Sequence, residues 1–180
     1  LVWQANGEDI SYEGNSDAPL PVAVRFSYTL DGQPIAPKDL AGKSGHLEIH
    51  ITYEATDDHK VTVGSRRERM SAPFLMATVL VLDDEVYDNV EAENGKVVDA
   101  GKLRVVVCYG LPGISEALRL DDYDDLEIEI PSTATITADV KDYSSSGAYT
   151  IATNAPFQSF DKDGDLDFDT DDLTDALEEA

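Results

Sequence analysis

Near the C-terminal end of the chain six aspartates follow a fixed spacing: Asp161, Asp163, Asp165, Asp167, Asp169 and Asp172. They occupy positions 1, 3, 5, 7, 9 and 12 of a calcium loop, where hard carboxylate oxygens suit a hard divalent cation. Leu173–Leu177 would then be the exiting helix, and the pattern resembles a dockerin half-repeat more than a full EF-hand, since Asp rather than Glu closes it. Two features oppose calcium. Leu166 stands where the sharp turn asks for glycine, and there is one copy with no entering helix. The competing reading is an acidic linker that leads into a helix over Asp171–Ala180. There Leu173 and Leu177 lie four apart and carboxylates fill the first turn.

The remaining candidates are weaker. Gly42-Lys43-Ser44 has the ending of a phosphate-binding loop, but Pro37 replaces the required first glycine, and a strand rather than a helix follows. A structural turn is the better reading. His46 and His50 have the spacing of helical zinc ligands, yet on a strand that spacing spans about 13 Å; with Leu47 beside them they read as surface histidines. His59 falls in an expected loop. Arg66, Arg67 and Arg69 form a basic cluster that reads as neutralising nearby carboxylates, with an acidic partner or phosphate as the alternative. Asp121, Asp122, Asp124 and Asp125 read as a solvated turn, with calcium at a loop edge as the alternative. Cys108 alternates with Val105 and Val107, as a packed thiol does, and as the single cysteine it excludes an internal disulfide. No serine or cysteine motif has a histidine partner. Paired carboxylates for glycoside hydrolysis stay open, but one Trp and scattered tyrosines are few for a glycosidase cleft. The chain is therefore expected not to be an enzyme and, calcium at the aspartate loop aside, to need no cofactor.

The elements that must carry these residues are strands. Val22, Val24, Phe26, Tyr28 and Leu30 alternate with Ala23, Arg25, Ser27 and Thr29, and Leu47–Tyr53 repeats the pattern. Leu126, Ile128 and Ile130 alternate with Glu127 and Glu129, and Ala134, Ile136, Ala138 and Val140 with threonines and Asp139. Phe74–Leu82 is apolar nearly throughout, which predicts a central strand covered on both faces. Asp31-Gly32 and Asn94-Gly95 are two-residue hairpin signals. Single helical turns are expected at Ala36–Ala41 and Gly113–Leu118. With about nine or ten short strands and no βαβ unit, the pattern predicts an all-β fold, an antiparallel immunoglobulin-like sandwich. That sandwich spans residues 1–158, with two small β-subdomains meeting near 65–72 as the alternative. An acidic linker and the start of a helix occupy 159–180.

Charge narrows the partners. With 37 acidic against 13 basic residues in 180 the net charge is −24. Such a field repels phosphate backbones and anionic headgroups, which disfavours nucleic acid and membrane surfaces. The longest apolar run is about half a bilayer span, so no membrane insertion by these residues is expected. The chain opens at Leu1 without a signal segment, which suggests a piece of a larger protein whose anchor lies elsewhere.

Two stretches carry a family resemblance. One is Leu20-Pro21 with Tyr28-Thr29-Leu30-Asp31-Gly32 and Lys38–Gly45; the other runs from Asn94-Gly95 through Leu103–Tyr109 to Leu111-Pro112-Gly113. Together they resemble the extracellular region of Gram-positive membrane proteins related to the phage-infection-protein (Pip/YhgE-like) group. The resemblance implies a β-rich ectodomain followed by acidic, leucine-containing helical repeats and then membrane spans. It brings no catalytic residues. The expected function is a non-catalytic binding or structural domain at the cell surface, in adhesion or assembly, with an envelope or protein partner. A calcium-dependent dockerin-like or stalk module using 161–172 is the first alternative. A carbohydrate-binding domain of a secreted enzyme is the second.

Thermal melting separates the two readings of the aspartate run. A calcium loop predicts that calcium raises the melting temperature by several degrees and that Asp163→Ala with Asp165→Ala removes the rise. A linker predicts a melting temperature indifferent to calcium and chelator.

Overall fold

The computed structural model describes residues 19–63, 66–118, 130–145 and 147–157. Their order is β1 (Val22–Leu30), β2 (Gln33–Ile35), α1 (Pro37–Leu40), β3 (Gly45–Ala55), β4 (His59–Val63), β5 (Arg66–Met70), β6 (Leu75–Asp83) and β7 (Tyr87–Glu93). There follow β8 (Gly95–Ala100), β9 (Leu103–Gly110), α2 (Ile114–Leu118), β10 (Thr133–Val140) and β11 (Ala148–Thr153). Every strand pairing is antiparallel. A five-stranded sheet runs β2-β1-β3-β10-β7, a four-stranded sheet runs β11-β6-β9-β8, and β4-β5 form a separate two-stranded ribbon. The protein is all-β, built mainly from two antiparallel sheets.

Alternation explains how the sheets meet. In β3 the inward set is Leu47, Ile49, Ile51 and Tyr53, all buried. Its neighbour β10 sets Ala134 opposite Ile51, Ile136 opposite Ile49, and Ala138 opposite Leu47. Two of these three pairs match a small side chain with a large one, which leaves room for the facing sheet to interdigitate. That sheet supplies Met76, Leu80 and Leu82 from β6 and Val106 and Cys108 from β9 to the same buried cluster. A buried side-chain link crosses the layer: the Tyr53 hydroxyl donates to Thr78 Oγ1 at 3.0 Å, and Thr78 is 2.9 Å from Thr150 of β11. Burial pushes the Tyr53 phenol up to about 12, so it stays a donor at ordinary pH. Gly110 lies against the Tyr53 ring, where any Cβ would collide with it.

Turn chemistry follows the residues. Asp31 and Gly32 both take positive φ (50° and 74°), and their tight turn pairs Leu30 with Gln33 in the β1–β2 hairpin. Asn94-Gly95 behaves differently from the expected hairpin. Asn94 has φ 53°, but β7 belongs to one sheet and β8 to the other, so this turn switches sheets. Gly95 makes the switch possible, because a Cβ there would lie 2.8 Å from the Val107 carbonyl oxygen.

Three further expectations need comment. The apolar run at Phe74–Leu82 does form a strand inside its sheet, but beyond its first residue, the buried Leu75, it is packed on one face: Met76, Thr78, Leu80 and Leu82 are buried while Ala77, Val79 and Val81 are half-buried. His59 starts β4 rather than sitting in a loop. The strand expected at Leu126–Ile130, the acidic turn Asp121–Asp125, and the aspartates Asp161, Asp163, Asp165, Asp167, Asp169 and Asp172 with the following helix lie, but for Ile130, outside the described residues.

Neighbouring residues of β6 test the one-sided burial. Leu80→Ala should cost about 2–5 kcal/mol in chemical unfolding, whereas Val79→Thr should stay within roughly 0.5 kcal/mol. Equal losses would mean that both faces are packed.

Candidate functional site

The outward faces of the two sheets differ in kind. On the five-stranded sheet they are polar: Arg25, Ser27 and Thr29 of β1, Glu48, His50 and Thr52 of β3, and Thr135, Thr137 and Asp139 of β10. Several are paired across strands, as Thr29 donates to Glu48 at 2.9 Å and Arg25 meets Glu54 at 2.8 Å. Such a face is made for water. The outward face of the four-stranded sheet is apolar, because its strands carry β-branched residues at both parities.

Register lays this face out in rows. Ile151, Ala77 and Tyr109 form one; Tyr149, Val79, Val107 and Lys96 form the next; Val81, Val105 and Val98 form a third. A last row of Asp83, Leu103 and Ala100 closes the patch. Tyr149 is 71% exposed and Tyr109 45%, and Ile151, Val98 and Leu103 are exposed as well. Lys96, on the edge strand β8, and Asp83, in the end row, are the charges in these rows, in a protein that is 28% charged. No covering layer lies over the face among the described residues. A contiguous apolar surface of this kind is uncommon on a single folded chain.

The margin of the patch is also open. β11 ends the four-stranded sheet and pairs with β6 on one side, with no strand on its other side among the described residues. Edge strands are ordinarily guarded by lysine, proline or a bulge. β11 reads Ala-Tyr-Thr-Ile-Ala-Thr and has none of them. It belongs to a stretch, residues 143–160, without a single charged side chain.

The chemical candidates are placed as follows. His46 and His50 lie on the water-facing side of β3. His46 Nδ1 is 3.0 Å from Asp139 Oδ1, and its amide donates to Asp31 Oδ1 at 2.9 Å. Asn89, in a left-handed conformation (φ 49°) where β7 bulges against β10, donates to Asp139 Oδ2 at 2.7 Å. The hydrogen bond that His46 donates to Asp139 raises the His46 pKa, and those that Asp139 accepts from Asn89 and His46 lower its own. These groups satisfy one another, and among the described residues no cluster of three or more ligand-type side chains is arranged to hold a metal ion. Gly42-Lys43-Ser44 is a turn tied to the β10–β11 connection by Gly42 N–H to Tyr143 O (2.9 Å) and Tyr143 N–H to Lys43 O (2.8 Å). Cys108 is fully buried and its thiol is pushed up to about 11, a packed side chain rather than a nucleophile. Arg66, Arg67 and Arg69 share strand β5, where Arg69 pairs with Lys60 and Arg67 with Thr62.

A cleft of about 410 Å³ lies between the end of β3, the β5 end and α2, lined by Tyr53, Glu54, Met70, Ser71, Pro112 and Glu116 among others. Its one hydroxyl beside a His–Asp pair is Ser71, 2.9 Å from the Asp57 main-chain carbonyl, to which it donates. His59 Nε2 meets Asp57 Oδ2 at 3.0 Å. The serine proton is thus given to a carbonyl rather than to the imidazole, the reverse of what nucleophilic activation requires.

Sequence reasoning missed the apolar face. The signal was present in the continuous apolar run of β6 and in the charge-free stretch 143–160. Comparison with protein-family models, with curated proteins and with solved structures returns no match.

The His46–Asp139 contact makes a signed prediction. A raised imidazole pKa contributes stability that is complete below the ordinary 6.5 and fades as pH rises through the folded value. A lowered carboxyl pKa contributes above the ordinary 3.8 and fades as pH falls through its folded value. In an NMR titration His46 should therefore show a midpoint above 6.5, and Asp139→Asn should bring it down. An unchanged midpoint in that variant would remove the contact from the account.

Proposed function

We propose that the chain is a non-catalytic contact domain, displayed at the bacterial cell surface as part of a larger membrane-anchored protein, and that it works through the outer face of its four-stranded sheet. The observation that carries this reading is the contrast between the two outer faces. A protein with a net charge of −24 keeps one sheet face almost free of charge and lined with Tyr149, Tyr109, Ile151, Val98 and Leu103. Exposed apolar area has a solubility cost that recognition offsets. Beside it, β11 presents a free backbone edge suited to strand addition.

The placement outside the cell rests on the resemblance to the Pip/YhgE-like ectodomains and on the acidic composition. An immunoglobulin-like arrangement is our finer reading of the fold, supported by two antiparallel sheets that share a core and by a connection that crosses between them at Asn94. Carbohydrate binding is the second reading, favoured by the exposed pair Tyr109 and Tyr149 on one sheet face.

Purified chain should bind Gram-positive envelope preparations saturably through envelope protein. Tyr149→Glu with Ile151→Lys should weaken that binding by about tenfold or more while the circular dichroism spectrum is kept. Undiminished binding by the double variant would overturn the reading. Retention on protease-treated polysaccharide alone, lost with Tyr109→Ala, would favour carbohydrate instead.

A further inference from the structure

We infer that the apolar outer face of the four-stranded sheet packs against the same face of a second copy of this chain, in a two-fold dimer. The inference rests on the reading of that face as a contact surface and names its occupant in the free chain, a second copy that an envelope partner would displace.

Charge is the first reason. Two bodies of net charge −24 repel each other wherever carboxylates meet, and a low-dielectric contact strengthens that repulsion. The rows through Ala77, Val79 and Val81 hold no carboxylate until Asp83 at the margin. This face is therefore the part of the described surface through which two copies can approach at least electrostatic cost.

Self-complementarity is the second reason. The central row reads Tyr149, Val79, Val107, Lys96 from one edge of the sheet to the other. A two-fold axis parallel to the strands reverses strand order in the opposing sheet while keeping each row in line. Valines then fall on valines, and Lys96 of each copy falls on Tyr149 of the other. A cation over an aromatic face is attractive by about 0.5–2 kcal/mol, and the symmetry makes the contact twice. An isologous interface needs such a pattern, in which the odd charge at one margin meets its complement at the opposite margin. Sheets packed face to face at about 10 Å, as in a sandwich interior, bring these groups within reach.

Area is the third reason. The two tyrosines alone expose roughly 200 Å², and with Ile151, Val98, Leu103 and the half-exposed valines the face offers on the order of 500 Å² per copy. Two copies bury about 1,000 Å², the lower end of a specific interface. The dimer is accordingly a weak one, dissociating in the micromolar range.

Sedimentation equilibrium on the whole chain tests this. The average mass should rise from 19.6 kDa toward twice that value between about 1 and 200 μM, and should rise further in 500 mM than in 50 mM salt, because salt screens the repulsion between the bodies and leaves apolar contact intact. Tyr149→Glu should raise the dissociation constant about tenfold or more. Lys96→Glu, at an exposed position that leaves the fold alone, should raise it severalfold. A monomer at every concentration and salt would overturn the dimer. So would a dimer indifferent to both substitutions, or one that salt dissolves, as docking of the basic β4–β5 ribbon on an acidic surface would be. If the chain stays monomeric while Tyr149→Glu with Ile151→Lys still abolishes envelope binding, the dimer fails and the contact surface stands. If it dimerises as described while that double variant binds envelope normally, the dimer stands and the envelope reading fails.

Discussion

A sheet has two faces, and the described part of this molecule supplies a covering layer for only one face of each sheet. That constraint organises the rest. The inward side chains of β3 and β10 meet those of β6 and β9 in one buried cluster, with Ala134 and Ala138 set opposite Ile51 and Leu47 to admit the facing layer. Once that layer is closed, no further layer among the described residues covers the outward side chains of either sheet. The five-stranded sheet meets this with threonines, carboxylates and histidines. The four-stranded sheet meets it with valine, isoleucine and tyrosine. The same geometry that secures the core exposes the apolar face.

The polar elements between the layers serve position rather than reaction. Tyr53 satisfies its buried hydroxyl on Thr78, which is itself in contact with Thr150 of β11, so the edge strand is tied to the middle of the core. Arg104, on the inward side of β9, meets Asp99 at 3.2 Å and donates to the Tyr87 main-chain carbonyl, joining the four-stranded sheet to β7 of the other. His46, Asp139 and Asn89 close the far end of the five-stranded sheet in a mutually satisfied network. Their pKa displacements follow from these pairings, and such groups are poor starting points for catalysis.

Much of the fold was legible in the sequence. Val22–Leu30, Leu47–Tyr53 and Ala134–Val140 announce themselves by alternation, and the structure places all three side by side in one sheet. Asp31-Gly32 announces its hairpin for an equally local reason. The misreadings share a cause. An apolar run such as Phe74–Leu82 looks the same whether its second face is buried by another layer or left open, since periodicity reports the strand and not its surroundings. Asn94-Gly95 has the φ freedom for a tight turn, yet which sheet receives the following strand depends on Val107 and Cys108, far along the chain. The exposed edge at Ala148–Thr153 shows in the sequence only as missing charge, a signal that is easy to pass over beside a tail crowded with aspartate.

The central claim is that the outer face of the four-stranded sheet is bare in the single molecule. Hydroxyl-radical footprinting of the dilute chain, read tyrosine by tyrosine, tests it most directly. The account predicts heavy modification of Tyr149 and Tyr109 and protection of Tyr53, which is 2% exposed. Protection of Tyr149 and Tyr109 to the level of Tyr53 at a concentration where the chain is monomeric would mean that the molecule covers this face itself, and would contradict the account.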